Sequence, residues 1–292
     1  MLTRVVADTG HEGHSMARAH GGQSGRGIAE AIVSSIKPRV IGQDAFGRER
    51  IWQRMMALEP AGYVSAFAIS AVDVALWDLV AKSLDLPLFR LLGGRADAIM
   101  AYASSANMEC TEDYVRDLHR AIARGYRAYK IHPFDDPARD IELCRVIRKE
   151  AGDGFRLMLD LPVIGAETVP GSVFAAANTL RAGALDMLLC DVDWKAGVTG
   201  MLKTANLCEA MGVGVASHHG ASPLMNFANL HVLCGATSAD MIEVLVPEEG
   251  YDFALRAYLA PGRDGMVRAP TAAGLGVEID FDYITAHTTA RL

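Results

Sequence analysis

Residues 185–218, LDMLLCDVDWKAGVTGMLKTANLCEAMGVGVASH, consist of two short apolar runs separated by a helical stretch. The runs at 185–191 and 213–218 have the length of buried strands, and 198–211 has the length of a crossover helix. Two parallel strands need a connection of about a dozen residues or more, which this helix supplies. The stretch therefore predicts a strand–helix–strand unit of a parallel sheet.

The same alternation extends on both sides of this unit. Further strands are predicted near 99–104, 126–132, 155–167 and 240–245, and further helices near 112–124, 136–150, 171–182 and 223–235. Right-handed βα repeats either close into a barrel or remain a doubly wound sheet. Because no G-x-G-x-x-G motif follows the first strand, the pattern favours a barrel.

The first 95 or so residues have a different pattern. The segment VVADTGHEG (5–13) predicts a hairpin, and a Gly-rich stretch at 21–27 precedes helical sequence. The run AISAVDVALWDLVAKSLDLPLFRLLGG (68–94) predicts one long amphipathic helix that ends near Pro87 and the Gly-Gly pair. Its expected apolar face comprises Ile69, Val72, Leu76, Leu79 and Val80.

Length, charge and hydropathy limit the classes of function. A chain of 292 residues fits a single α/β barrel with an accessory domain. The net charge of −7 comes without clustered Lys and Arg, which argues against nucleic-acid binding. No apolar run reaches the roughly 18–20 residues of a membrane span, and the amino terminus lacks the apolar stretch and cleavage site of a secretory signal. We therefore expect a cytoplasmic protein with no membrane partner.

The cysteines agree with that location. The five cysteines are odd in number, widely spaced and free of any CxxC pair. This pattern predicts neither a disulfide framework nor a zinc knuckle, so reduced thiols are the simple interpretation.

Polar residues end most of the predicted strands. In a parallel barrel the active site lies at the carboxyl ends of the strands, so these residues are the candidates for chemistry. Side chains two positions apart on a strand share a face, and Lys130 and His132 therefore point the same way. In chain order the candidates are Lys130, His132, Asp160, Glu167, Asp191, His218 and Glu243.

This combination of acids and bases suits one type of reaction. Metal-assisted removal of a proton next to a carboxylate needs carboxylates that hold a hard divalent cation and bases that move the proton. Mg²⁺ prefers such oxygen ligands and neutralises the enediolate that forms. The sequence therefore predicts a Mg²⁺-dependent enzyme that acts on a small-molecule carboxylate.

Several motifs also occur in the order seen in a known family. They are AVDVALWDLVAKSLDLPLFRLLGG, GYRAYKIH, LMLD, GAE, CDVDWKAGVTG, ASHH and IEV. Together they resemble the mandelate racemase-like enzymes of the enolase superfamily over nearly the whole chain. The helix motif ending in LLGG and the D-x₅-GVTG run are the most specific parts. The resemblance implies an N-terminal α+β capping domain at 1–95, a (β/α) TIM-type barrel at 96–262, and a segment at 263–292 that packs on the capping domain.

The resemblance implies a role for each strand-end residue. His218 would be the general acid/base on one face of the substrate, oriented and made more basic by Asp191. Lys130 would be a base or an electrostatic element on the opposite face. His132 lies where many members carry a second Lys, so we expect an auxiliary contact from it. Glu243 would hydrogen-bond an oxygen of the substrate carboxylate.

The metal site departs from the family pattern. By resemblance, Asp160 and Glu167 would be the first and third ligands of one Mg²⁺ ion. The family has a further strand between them that supplies a second metal-binding Glu, but LMLDLPVIGAE (157–167) joins the two strand ends without a crossover. In a single strand, seven steps of roughly 3.3 Å would separate the carboxylates by about 23 Å, too far for one cation. A turn at Leu161-Pro162 would instead place them on separate short segments.

We therefore expect an α/β barrel that lacks about one to two βα units, because no crossover fits between the fused strand ends. The capping domain and the metal site are also expected to be incomplete. Losing a βα unit exposes barrel edges, and such edges invite association. A homo-oligomer is accordingly predicted.

Three functions are open at this stage. The first is an acid-sugar dehydratase, in which His218 removes a proton and then protonates the leaving hydroxyl. The second is a racemase or epimerase of a hydroxy or amino acid, which needs proton transfer on both faces of one carbon. The third is an inactive chain with a broken metal site. His132 in place of a second Lys favours dehydration.

Overall fold

The computed structural model describes residues 1–19, 24–60, 62, 64–134, 136–159, 173–183, 185–219, 222–251 and 253–292. Within them the strands are β1 (Leu2–Val6), β2 (Glu12–Met16), β3 (Ala98–Ser104), β4 (Ala128–Ile131), β5 (Arg156–Leu159), β6 (Met187–Cys190), β7 (Gly214–Ser217), β8 (Ala239–Leu245) and β9 (Met266–Arg268). The α-helices are α1 (Gly25–Ala31), α2 (Lys37–Val40), α3 (Arg48–Met56), α4 (Ala66–Ser83), α5 (Leu88–Leu91), α6 (Thr111–Ala123), α7 (Pro137–Ala151), α8 (Val173–Arg181), α9 (Val198–Ala210), α10 (Pro223–Gly235) and α11 (Phe281–His287). A π-helical segment (Ile32–Ile36) joins α1 to α2, and a 3₁₀ turn (Glu248–Gly250) follows β8.

A two-stranded antiparallel sheet lies at the amino terminus. β1 pairs with β2 from Leu2↔Met16 to Val6↔Glu12, which confirms the predicted hairpin. β2 packs directly on α4. A Cβ atom built on Gly13 would lie only 1.9 Å from the carbonyl oxygen of Ala75, so the close approach of strand and helix depends on the missing side chain.

The helix predicted at 68–94 is shorter and more deeply buried than expected. α4 ends at Ser83, because Asp85 adopts a φ of 54° and Pro87 has no N–H to continue the helix. Every side chain at 66–81 is buried, since α4 packs against β2, α3 and α9. The prediction of one amphipathic helix is therefore wrong. Within the described part of the chain, no helix combines the length and apolar character that crossing a membrane requires.

The main sheet is parallel and follows the order β5-β4-β3-β8-β7-β6, with β9 added antiparallel to β3. Helices α6, α7, α8, α9 and α10 each lie between consecutive strands, as the sequence predicts. Among the described residues, β5 and β6 are the two ends of this order. The strand predicted at 155–167 is described only as β5, and 160–167 lie outside the described residues. An α/β fold with a parallel barrel-type sheet and a small N-terminal sheet is confirmed.

Alternate side chains of the main sheet form a small inner core. Strands that are not neighbours contribute to it, so the sheet curls around this core. Its buried members are Tyr102, Ala128, Leu189, Ala216 and Met241.

Four of the candidate residues lie on the same face of the sheet as this inner core, each two positions after one of its members. Side chains two positions further along a strand share the same face, and these positions are Lys130, Asp191, His218 and Glu243. The curl of the sheet therefore gathers four residues that are far apart in sequence at the carboxyl end of the inner core.

Asp78 of α4 joins the N-terminal sheet to the carboxyl-terminal part of the chain. Its Oδ2 accepts hydrogen bonds from the backbone N–H of His14 (2.9 Å) and from Lys82 Nζ (2.6 Å). Its Oδ1 accepts a hydrogen bond from the backbone N–H of Leu275 (2.8 Å). Both oxygens of this buried carboxylate are thus satisfied, and residues of the 263–292 segment lie beside β2 and α4.

The substitution Gly13→Ala should lower the free energy of unfolding by about 1–3 kcal/mol, because the added methyl group must push β2 away from α4. Urea unfolding followed by circular dichroism measures the change. Gly154→Ala is the matched control, since a Cβ atom there meets nothing within 4 Å. Equal stability of the two variants would contradict the close packing of β2 on α4.

Candidate active site

Asp191 and His218 form a hydrogen-bonded pair at the ends of β6 and β7. The distance from His218 Nδ1 to Asp191 Oδ2 is 2.6 Å. The carboxylate is completely buried, while about a quarter of the imidazole surface, 24%, is exposed. Asp191 Oδ1 accepts a second hydrogen bond from the backbone N–H of Trp194 (2.7 Å). With Nδ1–H donating to the carboxylate, Nε2 is the basic nitrogen of the ring.

Lys130 and Glu243 form a buried ion pair in the same layer. Lys130 Nζ lies 2.6 Å from Glu243 Oε1, and both side chains are almost fully buried. Glu243 Oε2 accepts a hydrogen bond from the backbone N–H of His219 (2.7 Å). Burial alone would raise the pKa of Glu243, but the positive charges of Lys130 and His218 outweigh it and lower the pKa to about 2. The pair therefore holds Glu243 ionised beside a lysine ammonium group.

His132 lies directly after β4 and is half-buried. Its backbone N–H donates to Ser105 Oγ (3.0 Å), and its carbonyl oxygen accepts a hydrogen bond from the Tyr114 hydroxyl. These two bonds fix the backbone at the end of β4, and the described contacts do not assign a role to the ring.

Asp193 and His219 lie close in sequence to the Asp191–His218 pair, but their pKa values are shifted toward the uncharged form of each side chain. The Asp193 carboxylate is buried with no hydrogen-bond partner among the described residues. Its burial, and then the charge of Asp191, raise the pKa of Asp193 well above the ordinary value, which favours the protonated acid. Burial also lowers the pKa of His219 to about 4, so this ring is neutral near pH 7. The geometry thus pairs His218 with Asp191 and not with Asp193.

The sequence interpretation missed two buried asparagines on α10, Asn226 and Asn229. Both bond to the backbone at the strand ends that carry the candidate residues. A signal was available in the segment PLMNFANLHVL (223–233), where two amides three positions apart stand in a mostly apolar helix. Residues three apart on a helix lie on the same side.

The predicted metal ligands, Asp160 and Glu167, lie outside the described residues. The part of the chain that is described contains no group of three or more His, Cys, Asp or Glu side chains able to hold a metal ion. The described residues by themselves therefore do not fit a magnesium site. What they do bring together are four residues to which the sequence assigns acid–base and substrate-binding roles: Lys130, Asp191, His218 and Glu243.

Two family models match this chain. One is described as the N-terminal domain of mandelate racemase / muconate lactonizing enzyme and matches residues 1–93. The other is described as enolase C-terminal domain-like and matches residues 113–162 and 159–283. The chain belongs to the mandelate racemase / muconate lactonizing enzyme family. The two stretches of the second match meet beside Asp160, where the sequence predicts a fusion of two strands.

Relatives that match this chain include cycloisomerases and dehydratases of acid sugars and an L-Ala-D/L-Glu epimerase. A 3,6-anhydro-alpha-L-galactonate cycloisomerase from Streptomyces coelicolor is 28% identical, over 93% of this chain and 86% of the relative. A D-galactarolactone cycloisomerase from Agrobacterium fabrum is 26% identical, over 87% of this chain and 83% of the relative. The crystal structure of D-glucarate dehydratase from Agrobacterium tumefaciens complexed with magnesium superimposes with a TM-score of 0.84 at 28% identity, and covers 98% of this chain and 89% of that one. These similarities place the chain among enolase-superfamily proteins but leave its own reaction to be proposed.

The substitution Glu243→Gln should lower the free energy of unfolding near neutral pH by about 3–5 kcal/mol, because it removes a buried carboxylate charge that contacts the buried ammonium group of Lys130. The pKa of Glu243 in the folded protein, about 2, lies below its ordinary value of 4.5. The contribution of the ion pair is therefore fully present above about pH 4.5 and is lost as the pH falls through about 2. The difference in the free energy of unfolding between the unmodified protein and the Glu243→Gln variant should therefore shrink as the pH falls from about 4.5 to about 2, as measured by urea unfolding.

The control for this substitution is Glu142→Gln. The Glu142 carboxylate lies 3.4 Å from Arg145, but its side chain is 64% exposed. We expect this change to cost less than about 1 kcal/mol, as exposed ion pairs contribute little. A cost for Glu243→Gln no larger than that of the control would contradict the assignment of a buried ion pair.

Proposed function

We propose that this protein is a dehydratase that removes water from an acid sugar, with His218 as its only proton-transferring base. The observation that carries this proposal is the different bonding of the two basic side chains. The His218 ring is oriented by the buried Asp191 carboxylate, whereas Lys130 is tied to Glu243. One side chain is arranged to take up a proton, and the other is held as a cation.

The reaction follows from these two arrangements. His218 Nε2 takes the proton from the carbon next to the substrate carboxylate, and the electron pair of the C–H bond moves into the carboxylate to form an enediolate. The ammonium group of Lys130, in the same layer, favours the extra negative charge. The electron pair then returns and expels the β-hydroxyl group, which takes the proton from His218 and leaves as water. The resulting enol becomes a 2-keto-3-deoxy acid.

A racemase is less compatible with the same bonding. Inverting a carbon centre requires one group to remove a proton from one face and a second group to deliver a proton to the other. Lys130 would have to act as a neutral amine in one direction, but the 2.6 Å contact with the Glu243 carboxylate favours its charged form. A reaction with one base needs no such neutral lysine.

Magnesium is part of the proposal as an expectation. A bound divalent cation would neutralise charge on the substrate carboxylate as the proton leaves. D-glucarate dehydratase from Agrobacterium tumefaciens, a similar structure, is complexed with magnesium. The ligands that the sequence assigns, Asp160 and Glu167, lie outside the described residues, and none of the steps above passes through the metal. Titration of the purified protein with Mg²⁺ by calorimetry tests whether it binds the ion.

The substitution His218→Asn should abolish turnover of an acid sugar that the unmodified protein dehydrates. Asparagine keeps a polar side chain but cannot take up a proton, so we expect a loss of at least about 100-fold in kcat. The substrate is found by incubating the protein and Mg²⁺ with a panel of aldonic and aldaric acids and measuring release of 2-keto-3-deoxy acid.

The matched control is His119→Asn, because His119 lies on α6 with 53% of its side chain exposed. This variant should keep the activity of the unmodified protein, and both variants should retain the unmodified circular dichroism spectrum. Undiminished release of the keto acid by the His218 variant would remove His218 from the proposed role. Absence of keto acid with every member of the panel, in protein that binds Mg²⁺, would contradict the dehydratase assignment.

A further inference from the structure

At the ends that carry His218 and Glu243, β7 and β8 are not held together by the sheet alone. The last backbone pairing recorded between β7 and β8 is Ala216↔Met241, and the register shifts just before it. Beyond that point the backbone N–H of Glu243 donates to a side chain, Ser217 Oγ (3.2 Å). The spacing between His218 and Glu243 therefore depends on side chains that bridge the strands.

Asn229 of α10 bridges β6 and β7. Its Oδ1 accepts a hydrogen bond from the backbone N–H of Val192 (2.9 Å), the residue after Asp191. Its Nδ2 donates to the carbonyl oxygen of His218 (3.1 Å). One amide thus contacts the backbone next to both members of the Asp191–His218 pair.

Asn226 extends the bridge to β8. Its Nδ2 donates to the carbonyl oxygen of Glu243 (3.1 Å), and its Oδ1 accepts a hydrogen bond from Asn229 Nδ2 (3.3 Å). The two amides therefore form one continuous chain of hydrogen bonds across the ends of three strands.

Most of the other side chains of α10 are apolar. Every side chain at 223–234 is buried, and most of them are hydrocarbon. A buried amide is costly unless it is hydrogen-bonded, and an apolar residue of similar size would pack the helix at least as well. The two asparagines are thus explained by what they bond to and not by helix formation, for which asparagine is a weak residue.

We infer that Asn226 and Asn229 are positioning residues: Asn229 holds the Asp191–His218 pair in register, and Asn226 sets the position of the Glu243–Lys130 pair relative to it. This assignment rests on the proposed function for its kinetic consequence, but its structural consequence does not. The two residues act on different halves of the site, so their removal should have different effects.

The kinetic test compares Asn229→Leu and Asn226→Leu, which keep the side-chain size but remove the amide. Asn229→Leu should lower kcat by about 10- to 100-fold with KM changed much less, because a small displacement of the base slows proton transfer. Asn226→Leu should lower kcat and raise KM together, since it displaces Glu243 and with it the Lys130 ammonium group, which the proposed function places beside both the substrate carboxylate and the enediolate. The control is Asn206→Leu on the exposed side of α9, which should change neither constant.

The second readout needs no turnover. The proton in the 2.6 Å hydrogen bond between His218 and Asp191 should give a strongly downfield NMR resonance in the unliganded protein. We expect this resonance to move upfield or vanish in Asn229→Leu and to persist in the Asn206→Leu control. If Asn229→Leu does not fold, Asn229→Ser replaces it, because a hydroxyl removes the bridge while remaining compatible with a buried polar site.

The outcomes separate this inference from the proposed function. If the unmodified protein dehydrates nothing but the resonance responds as expected, the proposed function fails and the positioning role stands. If the resonance and both kinetic constants are unchanged in a folded Asn229 variant, the positioning role is overturned, whatever the reaction. Equal effects of the Asn226 and Asn229 variants on KM and kcat would contradict the division of roles between them.

Discussion

The hydrogen bond between His218 and the buried Asp191 is the interaction on which the rest of the site depends. It places a buried carboxylate with no access to water next to an imidazole that is partly exposed, and this arrangement favours proton uptake at the other ring nitrogen, Nε2. β6 and β7 are parallel neighbours that end together, with Cys190 opposite Ser217, and this register brings the two side chains within reach of each other. The pairing register of these two strands therefore decides whether the two side chains are close enough to bond.

The charges around this bond are arranged so that neighbouring groups do not compete with it. Burial, and then the charge of Asp191, raise the pKa of Asp193, two residues along the chain, well above its ordinary value. His219 is kept neutral by burial. Lys130 and Glu243 neutralise each other at 2.6 Å. In this layer the proposed function therefore assigns proton transfer to His218 alone.

Much of this arrangement could be predicted from the sequence, and the exceptions have physical causes. The strand–helix alternation predicted α10 at 223–235 with its observed limits, and the strand-end rule selected Asp191 and His218. The prediction of one amphipathic helix at 68–94 was wrong. The positions of apolar residues in the sequence cannot show that β2, α3 and α9 pack around α4 and bury all of its sides. The contact between Lys130 and Glu243 needs the curl of the sheet, since 113 positions separate them and no local pattern links them. The fused strand at Asp160 and the roles of the site residues stay predictions.

We propose that a single base, His218, acts on one face of the substrate carbon next to the carboxylate. The most direct test presents the protein with each of two acid sugars that differ only in configuration at the carbon next to the carboxylate, in deuterated water, and follows both by NMR. We expect one of the two to lose its α-proton and to be converted to the keto acid, while the other is untouched and neither turns into the other. Interconversion of the two acids, with deuterium at the inverted carbon, would show a second base at work and contradict the account.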